Sequence, residues 1–322
     1  MNFTEFSSRY EQVAVQQYPH QVKTTEPLVS VCVQTYQHEP FIRQCLDSIL
    51  QQKTNFTFEV LIGEDASKDE TRNICIEYAN KYSDKVRLFL HNRENNIRID
   101  GTPTGRFNFA YNLFSSKGKY IALCEGDDYW TDPLKLQKQI DFLEENERFV
   151  ISFHDTMVVD ENNKLIREGR IKNLKAERQQ YELVKGAHLP TNSVVFRNLL
   201  KSYPERFFRS KNGDTFLFAI LGQHGPGYFN KEVANSVYRV HSNGMWSTAN
   251  KIEKLRSSRN TFDNLNTVIS WQYKHVVNRK LMSINWRLLR TPVGGIEKLK
   301  VALRLLKHCT NHMVFVWFRN KG

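Results

Sequence analysis

The chain of 322 residues has no pair of cysteines spaced as C-x-x-C. Its cysteines are odd in number, and most of them lie in apolar runs: Cys32, Cys45, Cys75, Cys124 and Cys309. This usage argues against a disulfide framework or a zinc site and favours reduced thiols in a cytosolic protein. No apolar run approaches the length that spans a bilayer, and the first residues, MNFTEFSSRYEQ, lack the order of a signal peptide.

Two glycine-rich phosphate-binding motifs are also missing. The first β-branched run, LVSVCVQ, is followed by TYQHEP rather than by G-x-G-x-x-G, and no Walker lysine loop occurs anywhere. Without glycines at this point, a phosphate cannot rest on a bare helix N-terminus. A diphosphate bound beside this strand would therefore need another counter-charge.

The positive net charge of +12 is confined to one part of the chain. Residues 251–322 contain 15 lysines and arginines against 3 acidic residues, whereas residues 1–250 contain 31 of each. Hydrophobic residues make up 40% of the chain, which is typical of a folded protein rather than a disordered one. We therefore expect a neutral globular part and a basic C-terminal region that meets something anionic.

Segments typical of strands and helices alternate along the first half of the chain. Strands are predicted at 28–34, 58–63, 86–90 and 119–124, with apolar residues at helical spacing between them. Ser67 with Glu70 predicts one helix start, and Asp132 before Pro133 predicts another. The alternation predicts an α/β fold with a mixed, mostly parallel sheet flanked by helices.

Polar groups follow three of these strands, at the sheet edge where parallel α/β sheets bind ligands. The third group is the most crowded, since CEGDDYW places three carboxylates in four positions. Such carboxylates repel one another, so they form either a solvated turn or a seat for a hard cation such as Mg²⁺ or Mn²⁺. Convergence of three strand ends favours a binding site, and a cation here would supply the counter-charge for a nucleotide diphosphate.

Three segments together resemble family 2 glycosyltransferases, the inverting nucleotide-sugar transferases of bacterial surface-polysaccharide assembly. The segments are PLVSVCVQTYQHEPFIRQCLDSILQQ, FEVLIGEDASKDETRNI and SSKGKYIALCEGDDYWTDPLKLQKQIDFLEEN. The resemblance is clear over about residues 27–150, weaker to about 247, and absent from the rest. It implies the GT-A type of nucleotide-diphospho-sugar transferase fold, here with a C-terminal helical extension.

The resemblance and the charge distribution together predict a division of the chain by function. Residues 1–26 form an N-terminal extension and residues 27–250 form the catalytic domain. Within that domain, residues 27–130 form the nucleotide-binding half and residues 131–250 the acceptor half. Residues 251–322 form the basic helical C-terminal region.

Nucleoside contacts are implied for five residues, namely Gln34, Thr35, Tyr36, Glu64 and Asp65. The last two begin Glu-Asp-Ala-Ser, where the family more often has Asp-Asp-Gly-Ser. The longer glutamate keeps the charge. A UDP-sugar is the expected donor.

The D-x-D signature of the family falls on Glu125, Gly126 and Asp127, with Asp128 next. Glutamate replaces the first aspartate, which leaves Asp127 and Asp128 as the expected metal and ribose ligands. The arginine-x-histidine pattern in VYRVHSNG adds His241 as an expected metal ligand. A histidine nitrogen suits Mn²⁺ better than Mg²⁺.

Other roles are implied by the weaker part of the resemblance. Asp214 is the expected general base, although a cap at the helix start beside Gly213 is an alternative for it. Arg239 and Arg98 either bind a phosphate or pair with a surface acid. The sugar pocket is expected to contain Thr191, Asn192 and Trp246.

The basic region contains a predicted amphipathic helix with an apolar face and a basic face. The apolar face comprises Ile296, Leu299, Leu303 and Leu306, and the basic face comprises Lys300, Arg304 and Lys307. The helix either packs on the protein with its basic face in solvent or lies on an anionic membrane through residues 295–322.

The leading hypothesis is a metal-dependent inverting glycosyltransferase that moves a sugar from a nucleotide-diphospho-sugar to a hydroxyl group. The acceptor is expected to be a glycan or a lipid-linked molecule, and the expected location is the cytoplasm, with contact to the inner face of the membrane as one alternative. A second hypothesis is a nucleotide-sugar-binding protein that has lost turnover, because glutamate replaces aspartate at two motif positions. A third is a nucleic-acid-binding protein acting through the basic region, although basic and aromatic residues do not interleave there.

Overall fold

The structure is a computed structural model that describes residues 1–18, 26–171, 175–242, 244–292 and 294–319. Within these ranges lie the strands β1 Gln16–Tyr18, β2 Val29–Thr35, β3 Phe58–Glu64, β4 Val86–Leu90, β5 Arg98–Ile99, β6 Thr102–Pro103, β7 Tyr120–Glu125, β8 Ile151–Phe153, β9 Thr156–Val159, β10 Leu165–Arg167, β11 Glu177–Arg178, β12 Val195–Arg197, β13 Gly227–Phe229 and β14 Ser236–Arg239. The α-helices are α1 Phe3–Tyr10, α2 Ile42–Leu50, α3 Thr71–Lys81, α4 Arg106–Ser115, α5 Lys135–Glu145, α6 Gln180–Val184, α7 Glu205–Phe208, α8 Gly213–Leu221, α9 Met245–Thr248, α10 Lys251–Val268, α11 Lys274–Leu289 and α12 Gly295–Arg319.

A nine-stranded sheet has the order β1-β4-β3-β2-β7-β12-β8-β13-β11. Its central strands β4, β3, β2 and β7 are parallel, whereas β1 and β12 pair antiparallel with their neighbours. The central strands are rich in valine, isoleucine and leucine and are buried, because helices cover both faces of a parallel sheet. The predicted mixed, mostly parallel α/β fold is confirmed.

The two faces of the sheet are covered by different helices. On one face, Val31 and Val33 of β2 share an apolar cluster with Ile42 and Leu46 of α2. The helix α4 packs against β2 and β3, where the Asn112 side chain donates to the Val33 carbonyl at 3.0 Å. These contacts bury most of each of the strands β2, β3 and β7. The polar groups follow at the carboxyl ends of these strands.

The chain forms two compact units, and each of them is built from three separate segments of the sequence. The first comprises Met1–Arg178, His188–Tyr203 and Pro226–His241, and it contains the nine-stranded sheet. The second comprises Gln179–Ala187, Pro204–Gly225 and Ser242–Gly322, and its described part contains α6 to α12 around buried apolar side chains. The division by function at residues 26, 130 and 250 stays a prediction.

Two helices begin later than the sequence predicts. The helix α3 begins at Thr71, because Ser67 holds the preceding loop: its hydroxyl oxygen accepts the Gln37 N–H at 2.9 Å. The helix α5 begins at Lys135, although the Asp132 carboxylate does accept the Leu134 N–H at 2.9 Å. The predicted capping pair of Ser67 and Glu70 is therefore wrong.

The predicted C-terminal helix is present as α12, which packs against α11. Its buried residues are Val301 and His308, however, and the predicted apolar face is exposed. The helix thus packs on α11 with its basic residues in solvent, as one of the two alternatives predicts, but through a side other than the predicted apolar face. Among the helices in the described ranges, none is both long enough and apolar enough to cross a bilayer.

Candidate active site

The carboxyl ends of β2, β3 and β7 lie side by side, as the alternating sequence pattern predicts. The Gly126 N–H donates to the Gln34 carbonyl at 2.9 Å, and the Asp65 N–H donates to the Thr35 carbonyl at 3.1 Å. These bonds join the first residue after β7 and the first after β3 to the end of β2. The three polar groups of the sequence therefore share one sheet edge.

The loops that leave this edge contain two non-glycine residues with left-handed backbone. Gln37 follows β2 with φ of 54°, and Ala66 follows β3 with φ of 56°. This conformation costs a non-glycine residue on the order of 1 kcal/mol, and such residues cluster at functional sites. Ala66 stands where the resembling family more often has glycine, which suits the conformation without strain.

Gly126 occupies a position with no space for a side chain. A Cβ atom there would lie 2.7 Å from the Thr35 hydroxyl oxygen and 2.9 Å from His38 Nδ1. The glycine thus lets residues 125–128, called the acidic loop below, approach the loop after β2. This close approach brings His38 to the carboxylates.

Asp127, His38 and His241 form the group of side chains best suited to hold a metal ion in the described part of the chain. Asp127 Oδ2 lies 3.0 Å from His241 Nε2 and 3.9 Å from His38 Nε2, and the three ligand atoms lie within 4.8 Å of one another. Two imidazole nitrogens and one carboxylate oxygen suit Mn²⁺ better than Mg²⁺, which prefers oxygen ligands. His38 was missed in the sequence, where TYQHEP reads as an ordinary loop.

Electrostatics favours a charged carboxylate in this group. Burial raises the pKa of Asp127, but His38 and a hydrogen bond with His241 outweigh burial, so the pKa lies below its ordinary value. Burial lowers the pKa of His38, which favours the neutral imidazole that a metal requires. Because a neutral His38 has no such charge effect, the lowered pKa of Asp127 belongs to the state in which His38 carries a proton.

Asp128 lies outside this group in the structure. It is buried, and its Oδ1 accepts the backbone N–H of Arg239 at 3.0 Å. Burial, with the charges of Asp127 and Glu125, raises its pKa well above the ordinary value. Its described contact is thus with β14, and its role as a metal ligand stays a prediction.

Arg239 binds the acidic loop to its surroundings from a buried position. Its guanidinium donates to the Asp127 carbonyl at 3.0 Å, to Asn163 Oδ1 at 2.8 Å and to Gln44 Oε1 at 2.8 Å. The group also lies over the ring of Phe41, 4.6 Å from its centre. In this structure the guanidinium holds the acidic loop in place, and phosphate binding by Arg239 stays a prediction.

We expect Arg239→Gln to lower the free energy of unfolding by about 3 kcal/mol, because it breaks a buried hydrogen-bonded network. Urea unfolding followed by circular dichroism measures the change. Arg98→Gln is the matched control, since Arg98 is exposed and donates to the Gly101 carbonyl at 3.1 Å. A loss equal to that of the control, expected below about 0.5 kcal/mol, would contradict the stabilising role of Arg239.

The expected nucleoside side of the edge contains two ion pairs. Arg93 donates to Asp65 Oδ2 at 2.6 Å and lies over the Tyr36 ring, 4.2 Å from its centre. Burial raises the pKa of Asp65 to about 6, although Arg93 opposes this shift. Glu64 is buried and accepts from the Arg72 side chain at 2.5 Å. Both arginines were missed in the sequence, because neither belongs to a recognised motif.

Gln34 and Glu125 face each other across β2 and β7 at the same edge. Glu125 is half-buried, and its carbonyl accepts the Cys45 thiol at 3.4 Å. Gln34 Nε2 is buried without a hydrogen-bond partner among the described residues. A buried donor without a partner is costly, so this amide is suited to donate to a bound ligand.

Asn192 is fully buried beside the acidic loop rather than on an open surface. Its side chain donates to the Val237 carbonyl at 2.8 Å, and its own carbonyl accepts the Trp130 indole N–H at 2.8 Å. Thr191 precedes it in a single 3₁₀ turn and is half-buried. Asn192 thus connects the loop after β7 to β14, and sugar contacts for both residues stay predictions.

The remaining predicted residues belong to other elements of the fold. Arg98 lies in the exposed hairpin of β5 and β6. Trp246 belongs to the second unit and is 42% exposed. Asp214 also belongs to the second unit, in the first turn of α8, where Asn212 occupies the cap position. The alternative that Asp214 caps this helix is therefore wrong, and its role as a base stays a prediction.

Comparisons with known proteins point to one family. Residues 30–203 match the description "Glycosyl transferase family 2". An uncharacterized protein of Mycobacterium tuberculosis is 34% identical over 221 residues, which cover 69% of this chain and 61% of that protein. An uncharacterized glycosyltransferase of Methanocaldococcus jannaschii is 28% identical over 62% of this chain and 67% of its own length. The match thus spans about three fifths of the mycobacterial relative.

Solved structures share the fold at low sequence identity. The mannosyltransferase PcManGT from Pyrobaculum calidifontis, in complex with GDP-Man and Mn²⁺, covers 98% of this chain and 91% of its own length with a TM-score of 0.55 and 14% identity. S. aureus TarS 1-349 in complex with UDP covers 82% of this chain and 72% of its own with a TM-score of 0.53 and 18% identity. Both likenesses support the GT-A type of fold.

Proposed function

This chain belongs to glycosyl transferase family 2, and from that premise we propose that it moves a sugar from a nucleotide-diphospho-sugar to a hydroxyl group. The proposed donor is a UDP-sugar, and the proposed acceptor is a glycan or a lipid-linked molecule of surface-polysaccharide synthesis. Configuration at the anomeric carbon inverts, because the reaction is a single displacement. The structures of similar fold that contain UDP or GDP-Man with Mn²⁺ support a donor of this class.

One observation carries this proposal: the ends of β2, β3 and β7 bring the group of Asp127, His38 and His241 to the same sheet edge as Asp65 and Tyr36. Asp127, His38 and His241 lie at the end of β7 and in the loops beside it. Asp65 and Tyr36, with Arg93 between them, lie at the ends of β3 and β2. Asp65 and His241 are buried at this edge, unlike the residues of a solvated surface turn.

The side chains at the end of β7 fit a divalent cation, preferably Mn²⁺. Asp127, His241 and His38 would hold it through one oxygen and two nitrogens. When bound, such a cation stabilises the negative charge that develops on the leaving diphosphate. A cation held by this group would supply the counter-charge for the diphosphate, which a glycine-rich loop supplies in other nucleotide-binding proteins.

The chain's own residues must also activate the acceptor. A hydroxyl group is a weak nucleophile at neutral pH, so a carboxylate within reach must accept its proton as attack proceeds. We propose Asp214 for this role. The new bond joins the acceptor oxygen to the anomeric carbon, the bond to the diphosphate oxygen breaks with its electron pair, and the acceptor proton passes to the Asp214 carboxylate.

Two other functions compete with this proposal. A nucleotide-sugar-binding protein without turnover would share the same sheet edge, and it is distinguished by the absence of transfer and of donor hydrolysis. A nucleic-acid-binding protein acting through residues 251–322 would show weak, steeply salt-dependent binding to DNA and no affinity for nucleotide sugars.

We expect nucleoside diphosphates and their sugars to raise the melting temperature of the full chain in the presence of Mn²⁺. Ligand present at about 100 times its dissociation constant stabilises the folded state by about 2.7 kcal/mol. A panel with UDP, GDP and their sugars, measured with Mn²⁺, with Mg²⁺ and with chelator, identifies the donor class. Mn²⁺ is expected to give the largest shift, because two ligands are nitrogens.

Two histidine variants test whether His38 contributes to the effect of Mn²⁺ on the melting temperature. His38→Ala is expected to reduce the shift obtained with Mn²⁺, whereas His224→Ala is the matched control because His224 is exposed in the second unit. Equal stabilisation by UDP with and without chelator would contradict a metal-dependent site. Stabilisation without transfer or hydrolysis would favour the binding protein instead.

A further inference from the structure

The helix α12 turns its apolar stripe toward solvent. Its exposed residues at three-, four- and seven-residue spacings are large and hydrophobic: Ile296 at 76%, Leu299 at 63%, Leu303 at 59%, Leu306 at 64% and Met313 at 63% exposed. The opposite side of the helix is the packed one, since Val301 and His308 are buried. Water-soluble helices normally bury the apolar stripe and expose the polar one.

Basic side chains border this stripe. Lys300, Arg304 and Lys307 are exposed on the same helix. Residues 295–322 contain one acid, Glu297, whose carboxylate accepts from the Arg256 guanidinium at 2.6 Å. The stripe is thus apolar along its centre and positively charged along its edge.

The combination of an apolar stripe and a basic border favours one kind of partner. A second copy of this chain, paired through α12, would face a helix with the same excess of positive charge, because residues 295–322 contain one acid, and this repulsion opposes dimerisation. A soluble polyanion such as DNA would match the charge but leave the leucines in water. An anionic bilayer matches both, because its surface attracts lysine and arginine and its interfacial region accepts leucine side chains.

The sequence at the end of the helix agrees with this partner. The helical backbone continues through residues 314–319, and the sequence there is VFVWFR. Tryptophan and phenylalanine are typical of segments that lie at membrane–water interfaces. Interfacial helices lie in the membrane plane rather than across it, so no spanning helix is needed.

We propose that α12 binds the surface of an anionic lipid bilayer, with the stripe of Ile296, Leu299, Leu303, Leu306 and Met313 in the interfacial region and Lys300, Arg304 and Lys307 at the lipid headgroups. This inference is independent of the proposed transfer reaction, because it rests on the second unit alone. It places the chain where a lipid-linked acceptor would be found.

Sedimentation of the full chain with lipid vesicles tests the proposal. We expect binding to vesicles that contain phosphatidylglycerol and little binding to pure phosphatidylcholine. The double variant Leu299→Glu and Leu303→Glu is expected to weaken binding by at least about 30-fold, because it places charges in the interfacial region. Both leucines are exposed, so the substitutions leave the packed side of the helix unchanged.

Two matched controls separate this surface from general effects. Leu165→Glu with Ile166→Glu changes two exposed apolar residues of β10, at 50% and 59% exposure, and is expected to bind vesicles as the unchanged chain does. The charge reversal Lys300→Glu with Lys307→Glu is expected to abolish the preference for phosphatidylglycerol, whereas Lys201→Glu with Lys231→Glu, on exposed lysines of the first unit, is expected to retain it.

Three outcomes would overturn the proposal. One is equal vesicle binding by the unchanged chain and the double leucine variant. Another is a concentration-dependent dimer, measured by sedimentation velocity without lipid, that the leucine variant abolishes. The third is tight binding to DNA that prevents vesicle binding and survives the leucine substitutions, which would assign the basic border to nucleic acid.

Discussion

Replacing Asp127 with asparagine is expected to lower kcat/KM for sugar transfer by at least about a thousandfold, which corresponds to about 4 kcal/mol of transition-state stabilisation. Asp127 supplies the carboxylate of the group that it forms with His38 and His241. An amide carries no charge and is a weaker cation ligand, so the charge on the leaving diphosphate loses its stabilisation. Stabilisation of the variant by UDP should no longer depend on Mn²⁺.

The control for this variant is Asp141→Asn on α5. Asp141 is exposed and accepts a hydrogen bond from Gln137 at 2.7 Å, so the change alters a surface charge and leaves the sheet edge intact. Steady-state transfer assays and calorimetric titration with Mn²⁺ measure the two properties separately. Unchanged turnover in the Asp127 variant would refute the metal role of the acidic loop and with it the proposed mechanism.

Asp214→Asn is expected to lower kcat by about a thousandfold with little change in the donor KM, because a general base contributes roughly 10²- to 10⁴-fold. Asp214 is half-buried, and its Oδ1 accepts the Thr215 N–H at 2.7 Å. Asparagine keeps an oxygen for that bond but cannot accept the acceptor proton. Donor affinity is measured with the UDP-sugar alone and turnover with the acceptor present.

Glu205→Gln is the matched control for this variant. Glu205 also lies in the first turn of a helix of the second unit, α7, and pairs with Arg209 on the surface. Both variants remove a negative charge from a helix start, a stability change of about 0.3–1 kcal/mol. A parallel loss of turnover in both variants would assign the effect to the helix starts and exclude Asp214 as the base.

The sheet and the acidic loop were predictable because their signals are local. A buried parallel strand requires a continuous apolar run, and VSVCVQT, FEVLIGE and YIALCE supply such runs with polar residues directly after them. The order of strands and helices then places their carboxyl ends at one edge. Asp127 and His241 were recognised by motif, and the structure brings them to 3.0 Å of each other.

The helix starts show where local signals compete. Ser67 and Glu70 have the spacing of a capping box, but the Ser67 hydroxyl accepts the Gln37 N–H from the loop after β2. A contact between residues 30 positions apart thus replaced a contact between neighbours. A sequence pattern includes only residues that are close along the chain. It cannot include a hydrogen-bond donor, such as the Gln37 N–H, that folding brings from a distant segment.

Apolar periodicity and short motifs predicted the fold class, the family and the edge of the sheet at which chemistry is expected, because such signals act over a few residues. The folded structure was needed to show that His38 joins Asp127 and His241, that Arg239 and Arg93 bind the acidic residues after β7 and β3, and that α12 exposes its leucines. Each of these depends on which surfaces meet across long sequence separations. Packing of the whole fold selects these residue pairs, so a pattern that spans a few residues does not predict them.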